Sequence, residues 1–245
     1  MNGMGAKNKV GNEDEFSRQL GQVERRAVKS IVESAKPDTG IAFRILNNSR
    51  TLAEMAYESN RSPDAKPVAC KENCRWCCYQ SVRISAVEAV SIANYLRGIK
   101  DTAERDAMTE RLQRLDATTR GLLPEVRNET QASCAFLTDS RCGIYPVRPM
   151  ACSWYTSWDL EECKVRYEIG VEKSDIHMDH ARTVVYSAVR EGMKEGLVEA
   201  VPHLEKTDLE LTAAVVDALK WENPEAEWLA GNPIFANAHM PGKAK

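Results

Sequence analysis

The chain has 245 residues, of which 43% are hydrophobic and 28% are charged, the composition of an ordinary globular protein. Its formal net charge of −3 lacks the basic excess that nucleic-acid-binding proteins carry, so no nucleic-acid partner is expected. The start of the chain has no apolar run typical of a secretory signal, and no apolar segment of about 18 residues predicts a membrane span, so we expect a cytoplasmic protein without a membrane partner.

Residues 1–13 are predicted to be disordered, and two helices follow them. Apolar residues recur at near-helical spacing from residue 13 to about residue 36. Turn-forming residues at 37–40 end this helix, and a second helical pattern covers about 41–58. Residues 14–60 are therefore expected to form an antiparallel helical hairpin that serves packing or partner binding rather than catalysis.

Between residues 60 and 120 the sequence predicts a linker, an extended stretch and two helices. The linker at 60–68 is polar and contains proline, and residues 81–84 are expected to be extended. Ser85 and Glu88 have the spacing of a capping box, which predicts the start of the first helix. The second helix is predicted at about 101–120, with a buried stripe made of Met108, Leu112 and Leu115.

The second half of the chain is predicted to be irregular first and helical later. It contains, in order, an irregular proline-bearing segment at 134–163, a short strand at 164–170, a helix at about 181–195 and a tail at 231–245. Thr207 and Glu210 have the spacing of a second capping box, which predicts a helix that ends near Trp221.

These patterns predict a mainly α fold, in which helices surround an irregular, cysteine-rich metal-binding centre with little or no sheet. The expected units are the hairpin at 14–60, a cysteine-cluster domain at 69–165 and C-terminal helices at 166–230 that pack on it.

The eight cysteines of the chain form two groups. The first group is Cys70, Cys74, Cys77 and Cys78, and the second is Cys134, Cys142, Cys152 and Cys163. In a reducing cytoplasm, such groups are metal ligands or redox groups more often than disulfides. Two residues between Cys74 and Cys77 let both sulfurs turn toward one ion, and Cys70, about one helical turn earlier, can reach the same centre. We therefore predict that the two groups meet in space and that all eight cysteines are metal ligands.

Cys77 and Cys78 are not both expected to be unstrained ligands of one ion, because adjacent side chains usually diverge. One of them would bind a second metal of a cluster, bind at a second site, stay a reactive thiol or, least expected, form a vicinal disulfide with its neighbour. Buried cysteines acting as small apolar side chains are the alternative for the whole set. Chance burial does not produce two dense groups, so we favour metal binding.

Eight thiolates fit more than one kind of metal centre. Two tetrahedral zinc sites would use all eight, whereas one four-iron cluster would use four. Soft thiolate ligands favour zinc or iron–sulfur over magnesium, calcium or manganese. The cations that could offset the negative charge are Lys71, Arg75, Arg141 and Arg148. The aromatic side chains that could exclude water, with core packing as their alternative role, are Trp76, Trp154, Tyr155 and Trp158.

At these residues the sequence resembles the CxxCxxCC family of zinc- or iron-chelating domains, also called YkgJ-type cysteine-cluster proteins. The similarity covers about residues 70–163 and includes Cys134-Ala-Phe-Leu and the pattern Cys-x-Ile-Tyr-x-x-Arg-Pro-x-x-Cys at 142–152. The first cysteine spacing has three intervening residues where the family motif has two, which leaves the geometry of Cys70 open. The resemblance implies metal chelation and no settled reaction. Flagellin lysine methylases are similar in carrying such a cluster with iron–sulfur character, which favours a 4Fe–4S cofactor over zinc.

Candidate catalytic residues do not emerge from the rest of the sequence. His177 and His180 could be ligands or acid–base groups, but a polar helix start is favoured. Two main hypotheses compete. The first is a redox or transferase protein whose iron–sulfur cluster takes part in chemistry, such as the modification of a protein. The second is a non-catalytic binding module whose fold is stabilised by structural zinc. A metal-free thiol-redox protein using Cys77 and Cys78 is a third. The sequence identifies no protein or small-molecule partner and no oligomeric state.

Overall fold

The computed structural model describes residues 4–35, 40–62, 64–71, 73–170 and 175–241, and for residues 4–12 the backbone alone. The α-helices within these ranges are α1 (Met4–Glu33), α2 (Ile41–Asn60), α3 (Ala86–Gly98), α4 (Thr102–Thr119), α5 (Pro124–Glu129), α6 (Met150–Trp154), α7 (Leu160–Ile169), α8 (His180–Ala200), α9 (Leu211–Leu219) and α10 (Pro224–Leu229). The strands are β1 (Arg83–Ile84), β2 (Leu137–Thr138), β3 (Arg141–Cys142) and β4 (Leu209–Glu210), and they form two antiparallel pairs, β1 with β4 and β2 with β3. The predicted mainly α fold with little sheet is confirmed.

Helix α1 begins earlier than the sequence predicts, at Met4 rather than near residue 13. Glycines at positions 5 and 11 are poor helix formers, which is why this stretch was expected to be disordered. Extending an existing helix costs far less than nucleating one, so the longer periodic segment that follows can carry the helix through them. The end of the predicted helix and most of the turn at 37–40 lie outside the described residues.

Helices α1 and α8 make the most extensive helix–helix contact of the described chain. Glu13 pairs with His180 at the start of α8, with 3.0 Å between the carboxylate oxygen and the ring nitrogen. Arg25 pairs with Glu199 near the end of α8. The contacts advance along both helices in the same direction, so the two helices run parallel.

Two glycines of α8 face the α1 backbone. A Cβ atom at Gly192 would overlap the carbonyl oxygen of Gly21, and one at Gly196 would overlap that of Arg25. The absence of both Cβ atoms lets the two backbones come into direct contact, as small residues do at close helix crossings.

The N-terminus of α2 is capped from a distant part of the chain. Gly40 precedes the helix with φ of 63° and has no side chain that could accept a hydrogen bond. The buried Glu225 of α10 does so instead, because its two carboxylate oxygens accept from the backbone N–H groups of Ile41 and Ala42, each at 2.9 Å. This carboxylate satisfies two free N–H groups and lies at the positive end of the helix dipole.

The capping box predicted at Ser85 and Glu88 is confirmed at the start of α3, which follows strand β1 as expected. The second capping box is wrong. Residue Glu210 is itself the N-cap of α9, accepting from the backbone N–H of Ala213 at 2.9 Å, while Thr207 lies before strand β4. The pairing of β4 with β1 holds residues 209–210 extended, so the helix starts later than the local pattern suggests.

Helix α9 packs against both α3 and α4 within the hydrophobic core. The predicted stripe of α4 is confirmed, since its side chains Met108, Leu112 and Leu115 are all buried. The residues after Gly231, expected to be a tail, join the same core: Ile234, Phe235 and Ala238 are buried, and residues 242–245 lie outside the described part.

The strand predicted at 164–170 is wrong, because this stretch belongs to helix α7. Asp159 caps it by accepting from the backbone N–H groups of Glu161 and Glu162, at 2.8 and 3.4 Å. A capped first turn with two acidic residues favours the helix over an extended chain. Among the helices in the described part of the chain, none has the length and apolar character needed to cross a membrane.

Candidate metal centre

The structure brings the two cysteine groups together. All eight thiols are free and partly buried. A backbone hydrogen bond joins the groups directly, because the N–H of Cys134 donates to the carbonyl oxygen of Cys78 at 2.6 Å. Strand pairing in the β2–β3 hairpin places Cys142 opposite Leu137, which follows Cys134 closely in the chain.

Cys77 lies at the centre of the thiol interactions. It is on a short 3-10 helix, Trp76–Tyr79, and interacts electrostatically with Cys142 and Cys152 of the second group. Cys134 interacts with the same two thiols. These four cysteines come from three separate elements and one loop, so tertiary packing and not local sequence brings them together.

Helix α7 brings the eighth cysteine to the cluster. Cys163 interacts with Cys70, Cys74 and Cys77 of the first group, which supports its inclusion among the candidate ligands. One turn later on α7, the ring of Tyr167 packs against Trp76 and Tyr79, with ring centroids 5.5 and 4.5 Å apart. This aromatic contact anchors α7 over the first cysteine group.

Three thiols share a local hydrogen-bond geometry. The backbone N–H two residues after each cysteine donates to its sulfur; the three pairs are Cys74 with Trp76, Cys134 with Phe136 and Cys142 with Ile144. An N–H donor favours the thiolate and tunes a bound metal. Sequence reasoning missed these donors, although a large apolar residue two positions after each of these cysteines was a visible pattern.

Burial opposes ionisation of the thiols. It raises the pKa of Cys134 and of Cys152 to about 12, and that of Cys163 to about 11. The pKa of Cys77 is raised well above its usual value, first by a hydrogen bond with the Cys78 thiol and then by burial. The Cys77 and Cys78 side chains therefore approach each other, contrary to the divergence expected of neighbours. Without a cation, these thiols keep their protons at neutral pH.

Of the four predicted cations, Arg148 interacts with the thiols. Burial opposes its charge, but Cys152, Cys77 and Cys142 raise its pKa above the usual value. The guanidinium groups of the other two predicted arginines contact neighbouring side chains. The guanidinium of Arg141 donates to the Asn73 side chain at 3.2 Å, and that of Arg75 lies over the Trp76 ring. Lys71 contacts the thiols through its backbone, because its N–H donates to the sulfur of Cys74, which lowers the pKa of that thiol.

The predicted aromatic shield is only partly present. Tyr155 interacts with Cys77 and Cys163, and its hydroxyl accepts from the Gln80 side chain at 3.2 Å. Trp76 is held by Tyr167, as above. Trp154 packs on the hydrophobic core instead, and Trp158 is 38% exposed. Core packing therefore explains Trp154 better than a place at the thiols.

A cleft of about 770 Å³ opens beside the β2–β3 hairpin, and none of the eight cysteines lines it. Its walls are α4, Asn73 and the β2–β3 hairpin, and it reaches Arg141 and Gly143 on either side of Cys142. The hairpin turns at Asp139 and Ser140, whose φ angles of 49° and 65° fit a two-residue turn of the primed type.

The two histidines do not join the thiols. The Nδ1 atom of His177 lies 2.5 Å from a Glu162 oxygen, and His180 pairs with Glu13. Both imidazoles are largely exposed, with 80% and 74% of the side chain accessible. His180 begins α8, directly after the N-cap Asp179, so the expected polar helix start is confirmed.

The donor set fits zinc or iron by its chemistry, since all the candidate ligands are soft, free thiols that interact with one another. These thiols are not arranged as a complete coordination shell. Within the described ranges, no three Cys, His, Asp or Glu side chains stand close enough together to hold a metal ion. The individual ligands therefore stay a prediction.

Residues 69–174 match the model of the CxxCxxCC family, described as a putative zinc- or iron-chelating domain. The match covers less than half of the chain and includes all eight cysteines. It supports chelation of zinc or iron by this segment without distinguishing the two. No curated protein and no solved structure matches the chain.

Proposed function

We propose that residues 69–174 hold an iron–sulfur cluster, with 4Fe–4S favoured, through thiolates of both cysteine groups. The observation that carries this proposal is the set of three backbone N–H donors at Cys74, Cys134 and Cys142. Hydrogen bonds to sulfur are a main determinant of the reduction potential of such clusters. The interactions of Cys77 with Cys142 and Cys152 connect the two groups, which supports one shared centre over two separate ones.

The side chains around the thiols would act on the bound cluster through charge and solvent exclusion. Arg148 offsets the negative charge of thiolates, and the contact between Tyr167 and Trp76 covers the first group. When bound, a cluster of this type supplies one-electron transfer. We place a substrate or partner in the cleft, whose lining residues Arg141 and Gly143 flank Cys142 in the chain, and we infer a redox or protein-modifying role for the centre.

A structural zinc site is the second candidate. The segments that carry the cysteines have little regular structure, with two-residue strands and 3-10 turns between helices. Metal-binding free energy of roughly 10 kcal/mol would be enough to hold such segments in place. In that case the protein is a binding module without catalysis. For either metal we place the protein in a reducing cytoplasm, since all eight thiols are free.

Anaerobic purification followed by metal analysis and absorption spectroscopy separates the two candidates. An iron–sulfur protein is brown, absorbs at about 400 nm and contains iron and acid-labile sulfide. A colourless protein that carries about two zinc ions per chain contradicts the cluster and supports the zinc module. A protein without metal contradicts both.

The shared site is tested with Cys74→Ser and Cys142→Ser, one from each group. We expect each variant to lose metal, because each removes a thiol that accepts a backbone N–H bond. Ser34→Ala, at the exposed end of α1, is the control and should bind metal as the parent does. If either cysteine variant keeps the parent's metal content and spectrum, the two groups do not share a site.

A further inference from the structure

Helix α6 carries Cys152 but is too short to be stable alone. It spans five residues, Met150–Trp154, and isolated helices of this length do not persist in water. Pro149 precedes it and offers no capping side chain. Its position must therefore come from contacts with other elements.

Glu88 of α3 fixes the start of α6. Its carboxylate is fully buried, and one oxygen accepts from the backbone N–H of Met150 at 2.8 Å. The other oxygen accepts from the backbone N–H and the hydroxyl of Ser85, at 2.6 and 2.7 Å. A single carboxylate thus completes the capping box of α3 and caps α6 as well.

Arg182 of α8 fixes the other end. Its Nε donates to the carbonyl oxygen of Ser153 at 2.9 Å. The guanidinium lies 4.7 and 4.8 Å from the ring centroids of Tyr57 and Tyr186, and it pairs with Glu54 at 2.7 Å. These contacts restrict the guanidinium, so the hydrogen bond to Ser153 has a fixed direction.

We propose that Glu88 and Arg182 are positioning residues that hold the Cys152 thiolate toward the metal centre. The inference rests on the proposed function. The two side chains bind the residues at each end of the stretch 150–153 without contacting the metal ligands of the first group. A ligand on a five-residue helix moves with that helix, so loosening either end displaces the sulfur from the centre.

The test uses two shape-conserving variants of the full chain. Glu88→Gln places an NH₂ group against the N–H of either Met150 or Ser85, and Arg182→Lys keeps the charge near Glu54 but loses the directed bond to Ser153. Arg25→Lys is the matched control, because Arg25 pairs with Glu199 of the same helix α8 far from α6. Each metal-free protein is titrated anaerobically with Co²⁺, and the thiolate-to-cobalt absorption and the affinity against a chelator are recorded.

We expect both variants to bind Co²⁺ about 10- to 100-fold more weakly than the parent, with a changed absorption band, and Arg25→Lys to match the parent. In a Cys152→Ser background, Arg182→Lys should have no further effect on affinity, a result that a merely structural role would not produce. If Glu88→Gln does not fold, the positioning role is tested by Arg182→Lys and by the double variant that combines it with Cys152→Ser.

One set of results would contradict the positioning role, and another would contradict the proposed function. Parent-like affinity and spectrum for Arg182→Lys, or an equal loss with and without Cys152, overturns the positioning role. A parent protein that binds no Co²⁺ and contains no metal as purified overturns the proposed function itself.

Discussion

At the scale of single residues, Glu24 brings a carboxylate into the contact between α1 and α2. It is fully buried and accepts hydrogen bonds from the Ser49 hydroxyl and from the Asn48 amide, the latter at 2.9 Å. Burial raises the pKa of Glu24 above its usual value, although both hydrogen bonds act in the opposite direction. The folded protein therefore binds a proton at this site more tightly than the unfolded chain does.

This shift predicts how stability responds to pH at Glu24. A carboxyl whose pKa is raised by folding contributes stability that is present below the unfolded pKa, near 4.3, and is lost as pH rises through the folded pKa. Glu24→Gln removes this titration. The free energy of unfolding of both proteins is measured in urea at pH 4 and pH 7. Relative to the parent, the variant should be more stable at pH 7 than it is at pH 4. If the difference in free energy of unfolding between variant and parent is the same at both pH values, the prediction is contradicted.

The same region shows why residue-level prediction from sequence is limited. Val23 is one of the apolar residues that recur at near-helical spacing in α1, which predicts a buried side chain, but it is 45% exposed and Glu24 is buried instead. Since α1 packs against both α2 and α8, its buried face depends on where those partners lie. Long-range packing of this kind is not encoded in local periodicity.

At the scale of elements, the contact between α1 and α8 depends on two glycines. The carbonyl groups that a Cβ at Gly192 or Gly196 would meet belong to the α1 backbone, which cannot turn away as a side chain can. Relief requires the helices to separate, and separation would weaken the packing of buried Leu20 and Val28 along the contact.

Gly192→Ala is therefore expected to destabilise the protein by about 2 kcal/mol or more, the size of an overpacking defect. Gly98→Ala is the control. It also replaces a helical glycine, but no atom lies within 4 Å of the new Cβ, so a small gain of about 0.5 kcal/mol is expected. The melting temperatures of the two variants are compared by thermal unfolding measured with circular dichroism. Equal melting temperatures for the two variants would contradict a close backbone contact.

Element boundaries were predictable where local chemistry decides them. The Ser85 capping box works because both partners lie within one turn. The Thr207 pattern fails because Asp208 next to it is engaged by Arg190 and Lys194 of α8, at 2.9 and 3.1 Å, and the strand pairing follows at once. Helix α7 was missed although its cap, Asp159, is local; its packing on the aromatic residues of the 3-10 helix is a tertiary contact that the sequence does not display.

At the scale of the whole molecule, the metal centre and the α1–α2–α8 helices are held by different interactions. The helices pack through apolar and glycine contacts, while the cysteine segments are linked by few backbone hydrogen bonds. The meeting of the two cysteine groups could be predicted from their density and spacing. The identity of the metal could not, because thiolate ligands suit zinc and iron alike.

Removing the metal should consequently destabilise the cysteine segments before the helices. Binding to the folded state alone adds about 2.7 kcal/mol when free metal is a hundredfold above its Kd, so a chelator should lower the melting temperature. Limited proteolysis of the metal-free protein should cut first at residues 64–71 or 73–80, where short turns predominate. Cys74→Ser should be insensitive to the chelator. Identical melting curves with and without chelator would contradict this account.

The cap that Glu225 places on α2 has a consequence for how the protein is made. The N-terminus of this helix is completed by a residue 184 positions further along the chain, and α1 lacks its main partner until α8 has been translated. A ribosome releases its product from the N-terminus onward, so both early helices emerge with apolar faces uncovered. Contacts this distant in sequence also slow folding. The first quarter of the nascent chain therefore completes its packing only when α8 and α10 have been made.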